Sequence, residues 1–147
     1  MRIVEQDSLN LIGLNVTEKI HPILDLLKQD QRYHIEAYQF VREALAYAQE
    51  TIKSSPPSAT GENHITGQQL CEAIRLYSLE QFGFMAKTVL NSWGVHSTGD
   101  FGEIVYNLIR IKHMKKSSTD RREDFDDVYD FATSFEPVFE LVNHDEA

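Results

Sequence analysis

Apolar residues along this chain recur mainly at intervals of three and four positions, the spacing that places them on one face of a helix. In the segment 35–53 they form one stripe, made by Ile35, Tyr38, Val41, Leu45, Ala48 and Ile52. The same spacing predicts further helices over 17–29, 66–82, 84–93, 98–112 and 132–142. Segments that alternate apolar and polar residues are scarce, so we expect a mainly α fold, a compact bundle of about six helices. A short β-hairpin is an alternative for part of 112–131.

Residue types at the segment ends support these boundaries. Thr66 and Gln69 have the spacing of a capping box, in which each side chain accepts a hydrogen bond from the other residue's backbone N–H. Gly83 predicts a break between two helices, and Gly94 suits the left-handed position that ends many helices. From residue 70 to 93, apolar side chains occur on nearly every side, as in a helix that is surrounded by others.

The sequence predicts a single domain over 1–147. Its only linker-like tract is 54–63, SSPPSATGEN, which we interpret as an internal loop because neither side alone has enough apolar residues for a core. Residues 1–16 show no sustained period and predict a loose arm or an isolated strand. We expect the last helix to start at Thr133 or Ser134.

The net charge and the cysteine content narrow the function. The chain has 147 residues, with 14 Lys and Arg against 23 Asp and Glu, and a formal net charge of −9. Non-specific binding to nucleic acid or to an anionic membrane needs a surplus of cations, so this charge disfavours both. Cys71 is the only cysteine, which excludes an intramolecular disulfide, and we expect it in the core. No segment is apolar enough for a membrane helix, and residues 9–16 make a poor signal peptide. We therefore expect a cytoplasmic protein with no membrane partner.

No spacing in the sequence is typical of a metal centre or an active site. None of the histidines forms an H-x-x-x-H or H-E-x-x-H pair; they are His21, His34, His64, His96, His113 and His144. The acidic run from Asp124 to Asp130 lacks the glycine and the closing Glu of an EF-hand loop, so we interpret it as a solvated face. Phosphate-binding loops and nucleophile elbows are also absent. We expect no metal and no cofactor, and we favour a protein that is not an enzyme.

The start of the helix 66–82 is one candidate site. A capping box accounts for Thr66 but leaves His64 and Gly67 unexplained, and free amides at a helix start can hold an anion. With Arg75 as a further contributor, these residues predict a site for a small ligand or an anion, in a binding protein or an enzyme. The alternative interpretation is a purely structural cap.

A second candidate is nucleic-acid binding. The helices 84–93 and 98–112, joined through Gly94, have the lengths of a helix-turn-helix, and a following basic segment would resemble a winged helix. Six of the 14 basic residues lie in that segment: Arg110, Lys112, Lys115, Lys116, Arg121 and Arg122. Against this interpretation, the exposed side of the second helix carries Asp100 and Glu103, whose charges repel phosphates.

Six segments, in this order, carry a family resemblance. They are Tyr38–Leu45, His64–Leu70, Gln81–Leu90, Trp93–Val95, Asp100–Ile109 and Asp120–Phe131. Together they resemble a family of conserved bacterial proteins without an assigned function, found mainly in the planctomycete and verrucomicrobial lineage. The resemblance covers most of the chain and implies no activity, cofactor or catalytic residue.

These observations favour a non-enzymatic interaction module whose partner is a protein. The basic segment 110–122 is followed directly by an acidic one, 123–130, so a sharp local dipole lies within a chain that is acidic overall. The two segments would suit a complementary partner, or would pair with each other between two copies. Nucleic-acid binding through 98–122 and ligand binding at the start of 66–82 remain the alternatives.

Overall fold

The computed structural model of the chain describes residues 1–3, 16–53 and 64–136, and leaves the side chains of 16–21 and 52–53 undescribed. In chain order, its elements are β1 (Arg2–Ile3), α1 (Val16–Gln29), α2 (Ile35–Lys53), α3 (Gly67–Phe82), a 3₁₀ turn (Gly83–Met85), α4 (Ala86–Ser92), α5 (Thr98–Arg110), β2 (Met114–Lys115), a second 3₁₀ turn (Arg122–Phe125) and α6 (Phe131–Ser134). The protein is mainly α, as the sequence predicts. The predicted loop 54–63 lies outside the described residues.

The core forms where α2, α3 and α5 meet. α2 packs along α3 and against α5, and the second 3₁₀ turn packs on both α3 and α5. The largest buried side chains come from all of these elements and include Tyr38, Leu45, Leu70, Ile74, Phe101, Ile104, Leu108 and Phe125. The predicted stripe of α2 is buried at Tyr38, Val41, Leu45 and Ala48, whereas Ile35 is exposed. Cys71 is also buried, and burial raises the pKa of its thiol to about 12.

The predicted helix ends are confirmed at α3 and α4. Thr66 and Gln69 form the capping box at the start of α3, and Gly83 ends that helix with a φ of 55°. After α4, Gly94 has a φ of 92°, and the Val95 N–H donates back to the carbonyl of Leu90 at 3.0 Å. This bond closes a Schellman turn, which requires the residue at position 94 to have a positive φ.

Several expected boundaries and exposures were wrong. α5 ends at Arg110 rather than 112, and α6 starts at Phe131 because Asp130, not Thr133 or Ser134, caps it. The end of the predicted helix 132–142 lies outside the described residues. The apolar stretch 70–93 is not surrounded throughout, since Phe84 is 69% exposed.

A two-stranded antiparallel sheet joins the N-terminus to the middle of the chain. β2 lies within 112–131, where the sequence suggested a hairpin, but its partner is β1, more than one hundred residues earlier. Residues 2 and 3 are therefore paired in a sheet, while 4–15 lie outside the described residues. Met1 is buried, and its N-terminal ammonium donates a hydrogen bond to the backbone carbonyl of Ile65 at 3.0 Å.

Candidate interaction surface

The N-terminal end of α5 holds an acidic side chain that other residues already use. Asp100 accepts hydrogen bonds from the backbone N–H groups of His96 and Ser97, which caps the helix, and from the Tyr33 hydroxyl at 2.5 Å. Burial and the bond to Asp100 raise the pKa of Tyr33 above its ordinary value, because both disfavour a tyrosinate. The Ser97 to Asp100 spacing is that of a capping box, a signal that the sequence itself contains.

A chain of alternating charges continues along the same end of α5. Arg32 contacts Asp30 at 2.7 Å and Glu103 at 3.3 Å. Arg122 contacts Glu103 at 2.9 Å and Asp126 at 2.7 Å. Three carboxylates therefore share two guanidinium groups, which leaves one negative charge in excess. The bonds from Arg32 hold the pKa of Asp30 far below its usual range.

Asn107 extends this network into the core. Its side-chain amide donates to Asp30 at 3.0 Å and to the Tyr38 hydroxyl at 3.1 Å, and the residue is buried. A buried amide costs little when its N–H groups are paired in this way. The side of α5 that carries Asp100 and Glu103 was predicted to be exposed. In the structure it contacts the segment 30–33 and the second 3₁₀ turn.

The C-terminal end of α5 is different, because its charges have one sign. The helix stops in a Schellman turn, in which the His113 N–H donates to Leu108 at 2.9 Å and Lys112 is left-handed, with a φ of 64°. A lysine in this position is uncommon, since the left-handed region favours glycine. The turn directs the chain into β2 and leaves Arg110 and Lys112 exposed.

The sheet adds a cation that the sequence did not indicate. Arg2 lies directly opposite Lys115 in the register, and Ile3 lies opposite Met114. Successive side chains of a strand point to opposite faces of the sheet. Arg2 and Lys115 therefore share one face, and Met114 lies on the other face, where it is buried. We define the basic surface as the exposed cations at this end of α5: Arg2, Arg110, Lys112, Lys115 and Lys116. Within the described part of the chain, none of them makes an ion pair.

The two remaining predicted basic residues have other positions. Arg122 is held between Glu103 and Asp126. Arg121 is exposed, and its backbone N–H donates to Asp124 at 2.9 Å at the start of the second 3₁₀ turn. Of the six predicted basic residues, four therefore belong to the basic surface, Arg122 forms ion pairs within the fold, and Arg121 is exposed beside it.

The start of α3, the other predicted site, is covered by the chain itself. Thr66 and Gln69 satisfy each other, and a Cβ added at Gly67 would lie 2.9 Å from the Cβ of Asp124. Gly67 is therefore needed for close packing of the second 3₁₀ turn, rather than for approach of a ligand. Arg75 lies eight residues further along the helix, about 12 Å by the helical rise, and pairs with Glu72.

His64 lies near this helix start but faces another group of residues. Its Nε2 lies 3.3 Å from Asp120 and 3.4 Å from the Ser117 hydroxyl. Asp120 is buried, and burial alone would raise its pKa. The hydrogen bond from the Ser117 backbone N–H and the Met1 ammonium outweigh that effect, so the pKa of Asp120 is lowered. His64 and Asp120 thus tie the segment before α3 to the segment after β2.

The acidic run predicted as a solvated face is exposed except at Asp124, which is half-buried against Gly67. Asp126, Asp127 and Asp130 all have exposed side chains, and Asp130 accepts from the Ala132 N–H as the cap of α6. Among the residues that the structure describes, no group of three or more His, Cys, Asp or Glu side chains is arranged to hold a metal ion.

A shallow groove of about 490 Å³ lies between the segment 31–35 and the end of α4, beside Arg32. Its lining includes Leu27, Arg32, His34, Ile35 and Trp93. None of the sequence-predicted site residues contributes to it.

Comparisons with other proteins bring no further assignment. None of the described helices is long and apolar enough to cross a lipid bilayer. The resemblance to an uncharacterised bacterial family stays a prediction, because no family model, curated protein or solved structure matches this chain.

Proposed function

We propose that this chain is a non-enzymatic binding module that holds an acidic protein partner on its basic surface. The observation that carries the proposal is the face-to-face placement of Arg2 and Lys115 beside three more exposed cations. The single buried thiol and the absence of a membrane-spanning helix among the described residues fit our further proposal that it acts in the cytoplasm.

Electrostatics explains why such a surface suits a partner. Like charges directly opposite each other in a sheet are unfavourable, and none of the ion pairs among the described residues includes a cation of the basic surface. Carboxylates from a partner would relieve the repulsion and add attraction. The contribution of each exposed pair is small, up to about 1 kcal/mol, so several pairs are needed for useful affinity.

An acidic protein fits this surface better than a nucleic acid does. The chain carries a net charge of −9, which opposes the approach of a long polyanion. In a helix-turn-helix the second helix must present a free face to the major groove. Here Asp100 and Glu103 lie on α5 in contact with other segments, which favours a partner that meets only the C-terminal end of the helix.

The proposal is tested by titrating a fluorescent Glu-rich peptide against the wild type and the double variant Lys115→Glu/Lys116→Glu. Fluorescence anisotropy at about 50 mM and about 200 mM salt should show binding that weakens with salt. We expect the variant to bind at least about tenfold more weakly, because two cations become anions. Lys28→Glu/Lys87→Glu, which changes two exposed lysines elsewhere, is the matched control and should bind as the wild type does.

Two results would contradict the proposal. One is equal peptide affinity in the wild type and the Lys115/Lys116 variant. The other is a duplex DNA of equal charge that binds more tightly than the peptide, because it would assign the basic surface to nucleic acid instead. Thermal unfolding of every variant checks that the fold is kept.

A further inference from the structure

The two ends of α5 carry exposed charges of opposite sign. The basic surface lies at the C-terminal end. At the N-terminal end, the Val128 N–H donates to the Thr98 hydroxyl at 3.2 Å, and a Cβ at Gly99 would lie 3.4 Å from Oδ1 of Asp126. These contacts fix the start of the acidic segment beside the first turn of α5. We define the acidic surface as the exposed side chains of Asp126, Asp127 and Asp130.

We infer that the acidic partner of the basic surface is a second copy of this chain, joined to the first about a two-fold axis perpendicular to α5. This inference rests on the proposed function, since it names the partner for the same surface. In such a pair the two α5 helices run antiparallel. Each basic surface then faces the acidic surface of the other copy, so one symmetric interface forms both contacts.

The distance between the two surfaces is compatible with this arrangement. α5 has 13 residues, which gives it a length of about 20 Å. At physiological salt the Debye length is about 8 Å, so the two surfaces of one molecule act almost independently. The same screening weakens the repulsion between two chains of net charge −9 wherever their charges lie further apart than this length. Contacts between facing surfaces are shorter and keep their attraction.

The order of charges along the molecule favours a closed pair over an open chain of molecules. An acidic surface and a basic surface at opposite ends of one helix are self-complementary under a two-fold rotation. Two contacts form together in that arrangement, whereas a head-to-tail contact forms only one. The second contact is intramolecular once the first has formed, which makes the closed pair the more stable product.

The experiment exchanges the signs of the two surfaces. One variant is Lys112→Glu/Lys115→Glu/Lys116→Glu, which leaves the basic surface with two cations and three anions. The other is Asp126→Lys/Asp127→Lys, which leaves the acidic surface with two cations and one anion. Asp127 has a φ of 49°, a conformation that Lys112 already adopts elsewhere in this chain, and Arg122 keeps its contact with Glu103. Sedimentation velocity at about 0.1 M salt gives the mass of each protein alone and of an equimolar mixture.

We expect the wild type to dimerise and each variant alone to associate at least about tenfold more weakly. We expect the mixture to regain the dimer, because each acidic surface then meets a basic one in both contacts. Glu36→Lys/Glu80→Lys, on exposed positions of α2 and α3, is the matched control and should dimerise as the wild type does. Thermal unfolding identifies a variant that has lost its fold. In that case, the neutral substitutions Lys115→Gln/Lys116→Gln and Asp126→Asn/Asp127→Asn replace the reversals, and each should weaken the dimer.

A wild type that stays monomeric over the whole concentration range overturns the inference, as does a mixture of the two variants that stays apart. The peptide titration separates this failure from a failure of the proposed function. If the wild type is monomeric and the Lys115/Lys116 variant loses peptide affinity, the acidic partner is another protein. If that variant binds the peptide as well as the wild type does, the basic surface itself is not a binding surface.

Discussion

The two ends of α5 use charge in opposite ways. At the N-terminal end, Asp100 accepts hydrogen bonds from a tyrosine and from backbone N–H groups, and Glu103 forms ion pairs with two arginines. At the C-terminal end, Arg110 is exposed and makes no ion pair with a described residue, and the strand pairing sets Arg2 against Lys115. The first arrangement holds segments of one chain together, whereas the second is favourable only when something else supplies the anions.

This difference arises from the segments that converge on each end. The segment 30–33 and the second 3₁₀ turn bring Arg32 and Arg122 to the acidic end, where opposite charges meet. The basic end receives β1 and β2, and both strands present cations on the same face. A charge on a helix therefore cannot be assigned to structure or to binding until the segments that pack on it are known.

The strongest way to break the acidic end is Gly94→Ala. A Cβ there would lie 2.0 Å from the backbone oxygen of Arg32, and the φ of 92° is unfavourable for any other residue. The segment that carries Arg32 would have to move, so we expect a loss of about 3 kcal/mol in the free energy of unfolding, measured by urea denaturation.

Gly83→Ala is the control for that substitution. Gly83 also has a positive φ, of 55°, but nothing lies within 4 Å of its added Cβ. We expect it to cost only the backbone strain, about 1 kcal/mol. An equal loss in the two variants would show that strain, and not the position of the 30–33 segment, explains the effect of Gly94.

Acid should loosen the same end by protonating Asp30. Its pKa is lowered in the folded state by the hydrogen bonds from Arg32, so its contribution to stability is complete above the unfolded pKa near 4 and is lost as the pH falls below that value. We expect Asp30→Asn to remove about 1 kcal/mol of the loss between pH 5 and pH 2, allowing for solvent screening. Urea denaturation at each pH measures it. An unchanged pH slope in Asp30→Asn would contradict this role.

The smallest effects compare single charges at the two ends directly. Glu103→Gln removes the carboxylate that Arg32 and Arg122 share and should destabilise the protein by about 0.5–1 kcal/mol. Lys115→Gln removes repulsion from Arg2 and should stabilise it by about 0.3 kcal/mol. Thermal unfolding distinguishes the two variants by the opposite signs of their stability changes. Added salt should reduce both changes, because both are electrostatic. Destabilisation by Lys115→Gln would mean that the basic surface has a partner within the chain.

Local sequence signals were enough for much of the fold. The three- and four-residue spacing located α1 to α5, the Thr66–Gln69 capping box fixed the start of α3, and Gly94 marked the end of α4. These features depend on residues within about one helical turn of each other, which is why a single sequence contains them. The Ser97–Asp100 box and the spacing of Arg122 and Asp126 are local signals of the same kind.

The contacts that define the candidate surface are not local. Arg2 reaches Lys115 only because β1 pairs with β2, and no pattern in either segment specifies that pairing. The sequence left Gly67 unexplained because its neighbour, Asp124, comes from the opposite half of the chain. For the same reason, Glu103 was predicted as a solvated repulsive charge, although Arg32 and Arg122 contact it in the folded chain.

The burial of Cys71 gives the protein a reporter of its own opening. The thiol lies in the core, is the only one in the sequence, and has a pKa of about 12, so alkylating reagents can reach it as a thiolate only when α3 separates from its neighbours. The labelling rate under native conditions therefore measures the free energy of that opening without any substitution or probe. α3 packs on both α2 and the 3₁₀ turn that carries Arg122. A change in the labelling rate on addition of a partner would therefore measure how binding at one end of α5 changes the stability of the core.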